Sequence, residues 1–574
     1  MAEPKRSKRQ GEDGSELVLV ALGGLGEVGM NVYAYGIGPA DQREWLVVDL
    51  GITFPEGEDD PGVDVILPDL RFLEEQRADV AGLVITHAHE DHIGAVIEMW
   101  PRLGCPIYAT PFTAGMLKAK LAEFGGNAAR KMPINIVKLG ARFQVRGFDL
   151  EFVNMAHSIP ETSALIMRTP LGTVFHTADW KLDSAPYIGT PSRPEVFQAI
   201  GDEGVLALVC DSTNAMREGR SPTETEVAES LAEIVKKAPQ RVLLTTFSSN
   251  VARIKACYEA AIANGRRLVV AGKALHRVIE VAIDTGYLPK DFAYLDQQQM
   301  KYLPRGEVLC LCTGSQGEPR AALARIAEMQ HPDIALDKGD IVIFSSRAIP
   351  GNEKSIGAIQ NALIRMGVDI VTDAEALVHV TGHPRREELK QMYGWIKPRI
   401  AVPMHGEARH LTANARLARE SGVRETVTAY NGEIVRLAPG VARIIDDAPV
   451  GRVFRDGRLL VPEGEGPVRE RRKLAFVGIA VVGLALTRKG AVLGDPIVML
   501  DGIPAEAYDG EPMIDIAYDA VEGALRSIPE QRRRDAALVE DAVKRSVRAA
   551  IADAWGKKPI CKVLVSVVDG GGRG

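Results

Sequence analysis

No stretch of this chain approaches the roughly 18 uninterrupted apolar residues that a membrane-crossing helix requires. The longest apolar run, residues 474–486, is shorter and is interrupted by Gly478 and Gly483; it reads as strand, and no transmembrane helix and no membrane partner are expected. Residues 1–14 are charged and lack the apolar core of a secretory leader; they read as a disordered tail. Cysteine is scarce and scattered, six residues with no C-x-x-C pair among them. That argues against a disulfide framework or a thiolate zinc site and suits a reducing, cytoplasmic setting. Nor is there a surplus of positive charge, the formal net charge being −7. A negative sum still permits a polyanionic partner, because local basic surface and bound cations act at short range. The apolar share of 46% and charged share of 25% are those of an ordinary globular protein. Its 574 residues suffice for about two to four domains around a sizeable core.

Histidine is rare as well, with eleven residues, yet three of them fall in the six-residue run His87-Ala-His89-Glu-Asp91-His92. The run follows the apolar segment Gly82-Leu-Val-Ile-Thr86, where a buried strand is expected to end. Imidazoles and a carboxylate suit zinc or manganese. In extended backbone, side chains two apart project to the same side, so His87 and His89 can grip one ion while Asp91 and His92 turn toward a second. A polar surface loop is a poor alternative for so dense a cluster.

Gly24-Leu-Gly26-Glu-Val-Gly29 matches the dinucleotide fingerprint, with Asp49 twenty residues beyond its last glycine. That fingerprint requires a helix between glycines and acid. Here Asn31-Val-Tyr-Ala-Tyr35 alternates with strand period and Gly36-Ile-Gly-Pro39 is turn chemistry. The segment is therefore predicted as strand, turn, strand, turn, strand. Asp49, at the end of its strand, is better placed to hold a metal-bound imidazole in the required tautomer.

Three further candidates follow short β-rich runs: His157 after residues 148–153, Asp179 after Val174-Phe-His-Thr-Ala, and His405 after residues 400–402. Singly, each is as well explained as a turn residue. Together they resemble the metallo-β-lactamase fold, an αββα sandwich with two metals at its sheet edges. The resemblance implies His87, His89 and His157 on one ion, Asp91, His92 and His405 on the other, and Asp179 between them. The long interval from Asp179 to His405 repeats strand, polar loop and helix patterns, which argues an inserted α/β domain. Such an insert resembles the β-CASP nucleases. Cys210-Asp211-Ser-Thr-Asn214, Thr313-Gly-Ser-Gln-Gly-Glu-Pro319 and His379-Val-Thr-Gly-His383 look like the bacterial ribonuclease J family over roughly residues 16–450. Trp180 stands where related proteins often carry phenylalanine.

The expected fold is thus α/β: a metallo-β-lactamase αββα sandwich, an inserted α/β β-CASP domain and a small α+β C-terminal domain. Expected boundaries are 1–14 tail, 15–215 and 371–450 sandwich, 216–370 insert, 451–470 linker and 471–574 assembly domain. The resemblance implies a metal-dependent ribonuclease with 5′→3′ exonuclease and endonuclease activity in messenger RNA decay and ribosomal RNA maturation. Two Zn²⁺ or Mn²⁺ ions about 3.5–4 Å apart would activate water and clamp the phosphate, leaving 5′-phosphate products. Asp91 and Asp179 would serve that chemistry, and His383 would bind phosphate or protonate the leaving 3′-oxygen. Asp49 and Asp211 would lie behind the ligands, Asp211 either anchoring the domain junction or bracing a ligand. His379, Val380, Thr381, Gly382 and His383 would line one phosphate site. Ser248, Ser249, Asn250, Gly314, Ser315 and Gln316 would form a second for a 5′-monophosphate, and Phe54 would stack on the terminal base. Single-stranded RNA, a homodimer or homotetramer, and RNA-decay proteins are the expected partners. Arg532, Arg533, Arg534, Lys544, Arg545 and Arg548 read as a solvated helix face more readily than as RNA contacts. A small-molecule thioester or lactam hydrolase of the same fold is the competing reading, against which the insert and the 379–383 run weigh.

Overall fold

The computed structural model describes residues 14–55, 60–124, 131–349 and 351–568. The tail expected over residues 1–14 lies almost wholly outside them. The chain forms two compact units, one running to Phe54 and then over Val65–Val453, the other made of Pro55–Asp64 and Phe454–Gly574. Among the described residues no helix is long and apolar enough to cross a membrane, and all six cysteines are buried thiols.

The first unit is built on two sheets. Strands Glu16–Gly23, Val32–Gly38, Glu44–Val48, Val80–Val84 and Ile107–Ala109 belong to an eight-stranded sheet. Phe148–Asn154, Ser163–Thr169, Gly172–His176, Ala207–Asp211 and Ile400–Met404 belong to a seven-stranded one. Alternate residues from both, among them Leu19, Tyr35, Leu46, Val84, Phe152, Leu165, Val209 and Val402, fill one continuous core. The opposite face of the second sheet is covered by helices Pro194–Glu203, Arg386–Ile396 and Ala408–Glu420 through Phe197, Leu389, Met392 and Leu417. The glycine motif turns the chain between strands Glu16–Gly23 and Val32–Gly38, which pair antiparallel. No helix intervenes before Asp49, so the dinucleotide fingerprint is ruled out by topology.

Ala207–Asp211 pairs in parallel, residue for residue, with Ile400–Met404. The chain thus leaves the sandwich at one strand end and returns to the neighbouring strand almost two hundred residues later. Between them lies a six-stranded parallel sheet in the order 295–296, 267–271, 308–312, 242–245, 341–344, 369–371. Its helices start on strong local signals. Thr223 and Glu226 form a reciprocal capping box for Glu224–Lys237, whose Val227, Leu231 and Val235 turn inward. Asn250 caps Val251–Ala263 by accepting from Arg253 N at 2.9 Å.

The C-terminal unit is a three-stranded sheet, Ile497–Asp501, Ile479–Thr487 and Ile560–Val568, packed against helices Met513–Ser527 and Ala536–Trp555. The helical spacing of Val539, Val543, Val547 and Ile551 buries one face of the longer helix. Two expectations need correction. Residues 451–470 are not a bare linker: they hold strands Arg452–Asp456 and Leu459–Pro462 and the start of helix Pro467–Val477. The apolar run 474–486 is not all strand either, since its first four residues finish that helix and the strand begins at Ile479. Pro467 in the first turn and Gly478 past the last residue delimit the helix.

Candidate metal centre

Strand ends converge here. His87 follows Val80–Val84, and His89 is the extended residue that opens the short helix Glu90–Ile93, whose first turn carries Asp91 and His92. His157, Asp179, Asp211 and His405 follow or end strands of the second sheet. Parallel pairing of 172–176, 207–211 and 400–404 brings three of these ends to one edge.

Two groups of potential ligands result, each with its ligand atoms within 4.8 Å of one another: His87, His89, His157 and Asp179, and Asp91, His92, Asp179 and His405. A third group of the same reach joins Asp179, Asp211, His383 and His405. In the first, Nε2 of His87 and Nε2 of His157 each lie 3.1 Å from Nδ1 of His89. In the second, Nε2 of His92 lies 3.3 Å from Asp179 Oδ2, and Nε2 of His405 lies 3.3 Å from Asp91 Oδ2. Asp179 belongs to every group.

Hydrogen bonds outside the cluster decide which nitrogen of each ring faces it. The Nδ1–H of His157 donates to Gly382 O at 2.7 Å, and that of His92 to Asp49 Oδ2 at 2.7 Å. Thr86 gives its hydroxyl proton to the same Asp49 oxygen at 2.8 Å, so its oxygen accepts from His87 Nδ1 at 3.0 Å. All three rings therefore turn Nε2 inward. Asp49, fully buried, orients two of them.

The protonation states match this arrangement in the three-histidine group, whereas His92 carries a proton on Nε2 as well until a cation displaces it. Burial holds His87 well below the usual imidazole range and takes His89 to about 4 and His157 to about 3. Burial acts the same way on His92 and His405, but the carboxylates led by Asp179 outweigh it and raise both well above that range. The donor set fits divalent cations on structural grounds. Nδ1 of His89 has the ring nitrogens of His87 and His157 on two sides at 3.1 Å, so at most one proton serves two contacts. Buried Asp179 Oδ1 and His405 Nε2 make no well-directed hydrogen bond and face charged groups instead, His405 Nδ1 at 3.0 Å and Asp91 Oδ2 at 3.3 Å.

His383 sits on the open side of the cluster. Its side chain is 20% exposed, against 0–2% for His87, His92, His157 and His405. Its Nδ1 lies 2.7 Å from Oδ2 of the buried Asp211, a contact that joins the strand before the insert to the segment after it. Burial raises the Asp211 carboxyl, yet the neighbouring His383 and His405 bring it down to about 2.

The other sequence candidates divide by what their side chains already do. Phe54 is 60% exposed, and Ser248, Ser249, His379 and Thr381 are half-buried. His379 Nδ1 is enclosed without a partner; burial, then the charges of Arg253, Arg347 and Lys181, take the ring to about 3. Asn250 is spent on its helix cap, and Val380 points into the core. Gln316 is buried and bonds the 347–352 segment through Arg347 O and Ile349 N. From those three positions, and from buried Gly314 and Ser315, only backbone remains to meet a ligand. Gly382 also differs from expectation: a Cβ there would meet the His157 ring at 2.3 Å, so the close approach it permits is to a ligand imidazole.

Asn31 was missed by sequence reasoning. Fully buried, it accepts from Tyr33 Oη at 2.9 Å and donates from Nδ2 to Asp91 O at 3.1 Å and Asp91 Oδ2 at 3.3 Å. It thereby steadies a carboxylate sixty residues away, and nothing local to residue 31 signals that partner. Thr86 was legible only as a polar residue closing an apolar run. Thr213, which bonds His405 O at 3.0 Å, and Asn214, which bonds Thr381 Oγ1 at 2.8 Å, lie in the Asp211 motif.

Comparison with known proteins agrees with this geometry. Residues 60–202 match a family described as beta-lactamase superfamily domain, 239–363 one described as ribonuclease J, beta-CASP domain, and 466–568 a ribonuclease J C-terminal domain. Residues 367–429 match a Zn-dependent metallo-hydrolase RNA specificity domain. Among relatives, ribonuclease J of Sinorhizobium meliloti is 51% identical over 96% of this chain and 98% of its own. Ribonuclease J of Mycolicibacterium smegmatis is 36% identical over 95% and 96%, and that of Thermus thermophilus 34% over 98% and 96%. A solved protein of unknown function from Enterococcus faecalis shares the fold, with TM-score 0.51 at 15% identity over 73% of this chain and 100% of its own.

Proposed function

The chain belongs to the ribonuclease J family and is a metal-dependent ribonuclease, and from that premise we propose that it digests single-stranded RNA 5′→3′ from a 5′-monophosphate end. It also cuts internally, leaves 5′-phosphates, and acts in messenger RNA decay and ribosomal RNA maturation. The observation that carries the reading is the convergence of six metal-type side chains on Asp179, with His383 and its Asp211 partner on their open side.

His87, His89 and His157 with Asp179 would hold one divalent cation, and Asp91, His92 and His405 with Asp179 would hold the other, zinc or manganese. Such cations supply Lewis-acid activation of water and neutralise charge on the attacked phosphate. Asp49, Thr86 and the Gly382 carbonyl keep the ligand imidazoles in the tautomers that leave Nε2 bare. Asp211 engages Nδ1 of His383, so Nε2 is the atom that delivers a proton to the leaving 3′-oxygen. His379, with Arg253, Arg347 and Lys181 acting on it, together with Thr381 and the 379–383 backbone, receives the phosphate on the open side.

The 5′-monophosphate site is formed by Ser248 and Ser249 with the backbone of Asn250 and of Gly314, Ser315 and Gln316. These loops follow strands that pair side by side, Thr245 opposite Cys312, and the first loop opens the thirteen-residue helix Val251–Ala263. Ligands favour such strand carboxyl ends, and helix N-termini favour anions. Phe54 offers an exposed ring for the terminal base. The protein works in the cytoplasm with RNA-decay partners and self-associates as a homodimer or homotetramer through its C-terminal unit, where Ile497, Met499 and Leu564 are exposed on the sheet. Sedimentation of the full chain tests the assembly.

The activity is tested by digesting one end-labelled RNA bearing a 5′-monophosphate or a 5′-triphosphate with Mn²⁺ or Zn²⁺, beside a His87→Ala/Asp91→Ala control. Mononucleotides released from the monophosphate RNA alone support the end-sensing exonuclease, and internal cuts irrespective of the 5′ end support the endonuclease. Cleavage that persists in the control or in chelator defeats the metal-centre assignment.

A further inference from the structure

Cations of the C-terminal unit fall into two kinds. Arg471, Arg472, Arg526 and Arg545 are each tied to a carboxylate, Asp456, Asp60, Glu522 and Asp541, at 2.6–3.1 Å. Among the described residues, Lys489, Arg532, Arg533 and Arg534 have no such carboxylate, and the fold brings them together from two distant stretches of sequence. Residues 488–490 form the turn after strand Ile479–Thr487, and that turn lies on the 3-10 turn Glu530–Arg534. Gly490, at φ +92°, makes the contact: a Cβ there would lie 2.2 Å from Glu530 O and 3.3 Å from Arg533 Cβ. Arg534 Nε donates to Lys489 O at 3.4 Å, and Arg533 Nε donates to Ile528 O at 2.8 Å. Both guanidinium groups are thereby anchored at Nε with their terminal nitrogens left for a partner. Lys489, Arg532 and Arg534 are exposed.

Four like charges gathered with only the flanking Glu530 and Asp535 to offset them repel one another. They are complementary to a polyanion, and anchored guanidinium groups match phosphate oxygens in pairs. Protein-binding surfaces are centred on buried aromatic or aliphatic anchors, and neither residues 487–493 nor 528–535 contain an aromatic residue. We propose that this surface is a second RNA-binding site, which holds the phosphate backbone without cutting it. The proposal rests on the ribonuclease reading for the identity of the polyanion. It gives long substrates an anchor in the C-terminal unit that short ones lack.

The test measures RNA binding by the full chain in chelator, where no cleavage occurs, as a function of salt. Each phosphate contact on a single strand contributes about 0.7 to the slope of log affinity against log salt. Replacing Lys489, Arg532, Arg533 and Arg534 by Gln is expected to lower that slope by up to about 3 for an RNA of about 40 nucleotides. Affinity near 0.1 M salt is expected to fall at least tenfold, while metal-dependent turnover of an oligomer of about 5 nucleotides is unchanged. If the quadruple variant does not fold, Lys489→Gln/Arg532→Gln, both at exposed positions, is expected to lower the slope by about 1.4. An unchanged slope in the folded variants overturns the proposal, as does equal loss on short and long RNA. Displacement of RNA from the unmodified protein by an acidic peptide of equal charge, abolished in the variants, would reassign the surface to a protein partner. Cleavage by the unmodified chain is scored separately, so failure of the ribonuclease reading is distinguishable from failure of this one.

Discussion

Asp49→Asn tests the tautomer control proposed for the metal centre, at nearly unchanged shape and with the loss of one buried carboxylate. In the native site two carboxylate oxygens accept three donors: Oδ1 takes Thr86 N at 2.8 Å, and Oδ2 takes Thr86 Oγ1 at 2.8 Å and His92 Nδ1 at 2.7 Å. An amide has one acceptor oxygen. If that oxygen replaces Oδ2, the NH₂ group faces the amide hydrogen of Thr86. If it replaces Oδ1, the NH₂ group faces His92 Nδ1, and the ring must move its proton to Nε2, the nitrogen meant for the cation. Either arrangement leaves a buried donor unpaired or blocks a ligand, at about 1–3 kcal/mol. Partners of this kind typically contribute 10–100-fold to metal affinity, equivalent to about 1.4–2.7 kcal/mol. Titration of metal-free protein with Zn²⁺ or Mn²⁺ should therefore find the His92-containing half weakened 10–100-fold, with turnover recovering in excess metal. Two cations bound with unaltered affinity would refute the hydrogen-bond reasoning, because nothing else in the substitution changes shape or volume.

His383→Ala should lower RNA turnover by about 10²–10⁴-fold with little change in metal content; a loss below tenfold would remove it as the proton donor. Arg253→Ala leaves Glu224, only 5% exposed and 2.7 Å from the lost guanidinium, buried without its partner. Urea unfolding should show a loss of about 3–5 kcal/mol, and an unaltered midpoint would contradict it. Gly382→Ala should displace the His157 ring and weaken the three-histidine half, seen as an altered Co²⁺ absorption spectrum, while a native spectrum would disprove the clash. The two halves should also differ in pH response. His89 and His157 are neutral down to about 4 and about 3, so their half binds without displacing protons at neutral pH. His92 and His405 have raised values in the metal-free protein, so binding there must expel protons and tightens as pH rises. Calorimetry in buffers of different ionisation enthalpy should assign proton release to one of the two binding steps; equal release in both would be the contrary result.

Candidate ligands were legible wherever the chemistry is local. His87, His89, Asp91 and His92 declare themselves by spacing, and Asp49 by ending a strand that no helix precedes. The strand period of Asn31–Tyr35 was enough to reject a nucleotide fold despite three well-spaced glycines. Legibility fails where a residue's partner is distant in sequence or where two mechanisms use the same letters. Asn31 and Asp91 meet only in the folded chain. Ser248-Ser249-Asn250 ahead of a helix signals both an anion site and an N-cap, and the structure spends Asn250 on the cap. Residues 474–477 are an apolar run too short to declare helix or strand, and they became the last turn of a helix because Pro467 starts one upstream.

The segment that returns from the inserted domain to the sandwich completes the candidate centre. Asp49, Ala178 and His405 adopt left-handed backbone at φ +63°, +51° and +52° where the chain turns off the sheets. Each such corner costs about 1–3 kcal/mol and persists only under restraint. The parallel register of 207–211 on 400–404 supplies that restraint for His405, and it joins the strand before the insert to the strand after it. Gly382, in the same return segment, fixes His157 through its carbonyl, and His383 meets Asp211 from across the departure point. A sandwich stripped of residues 216–405 would keep His87, His89, Asp91 and His92 yet lose His405, the carbonyl that fixes the tautomer of His157 and the histidine partner of Asp211. The return segment and the candidate metal centre therefore form one cooperative unit, in which the segment proposed to bind RNA also positions the proposed ligands.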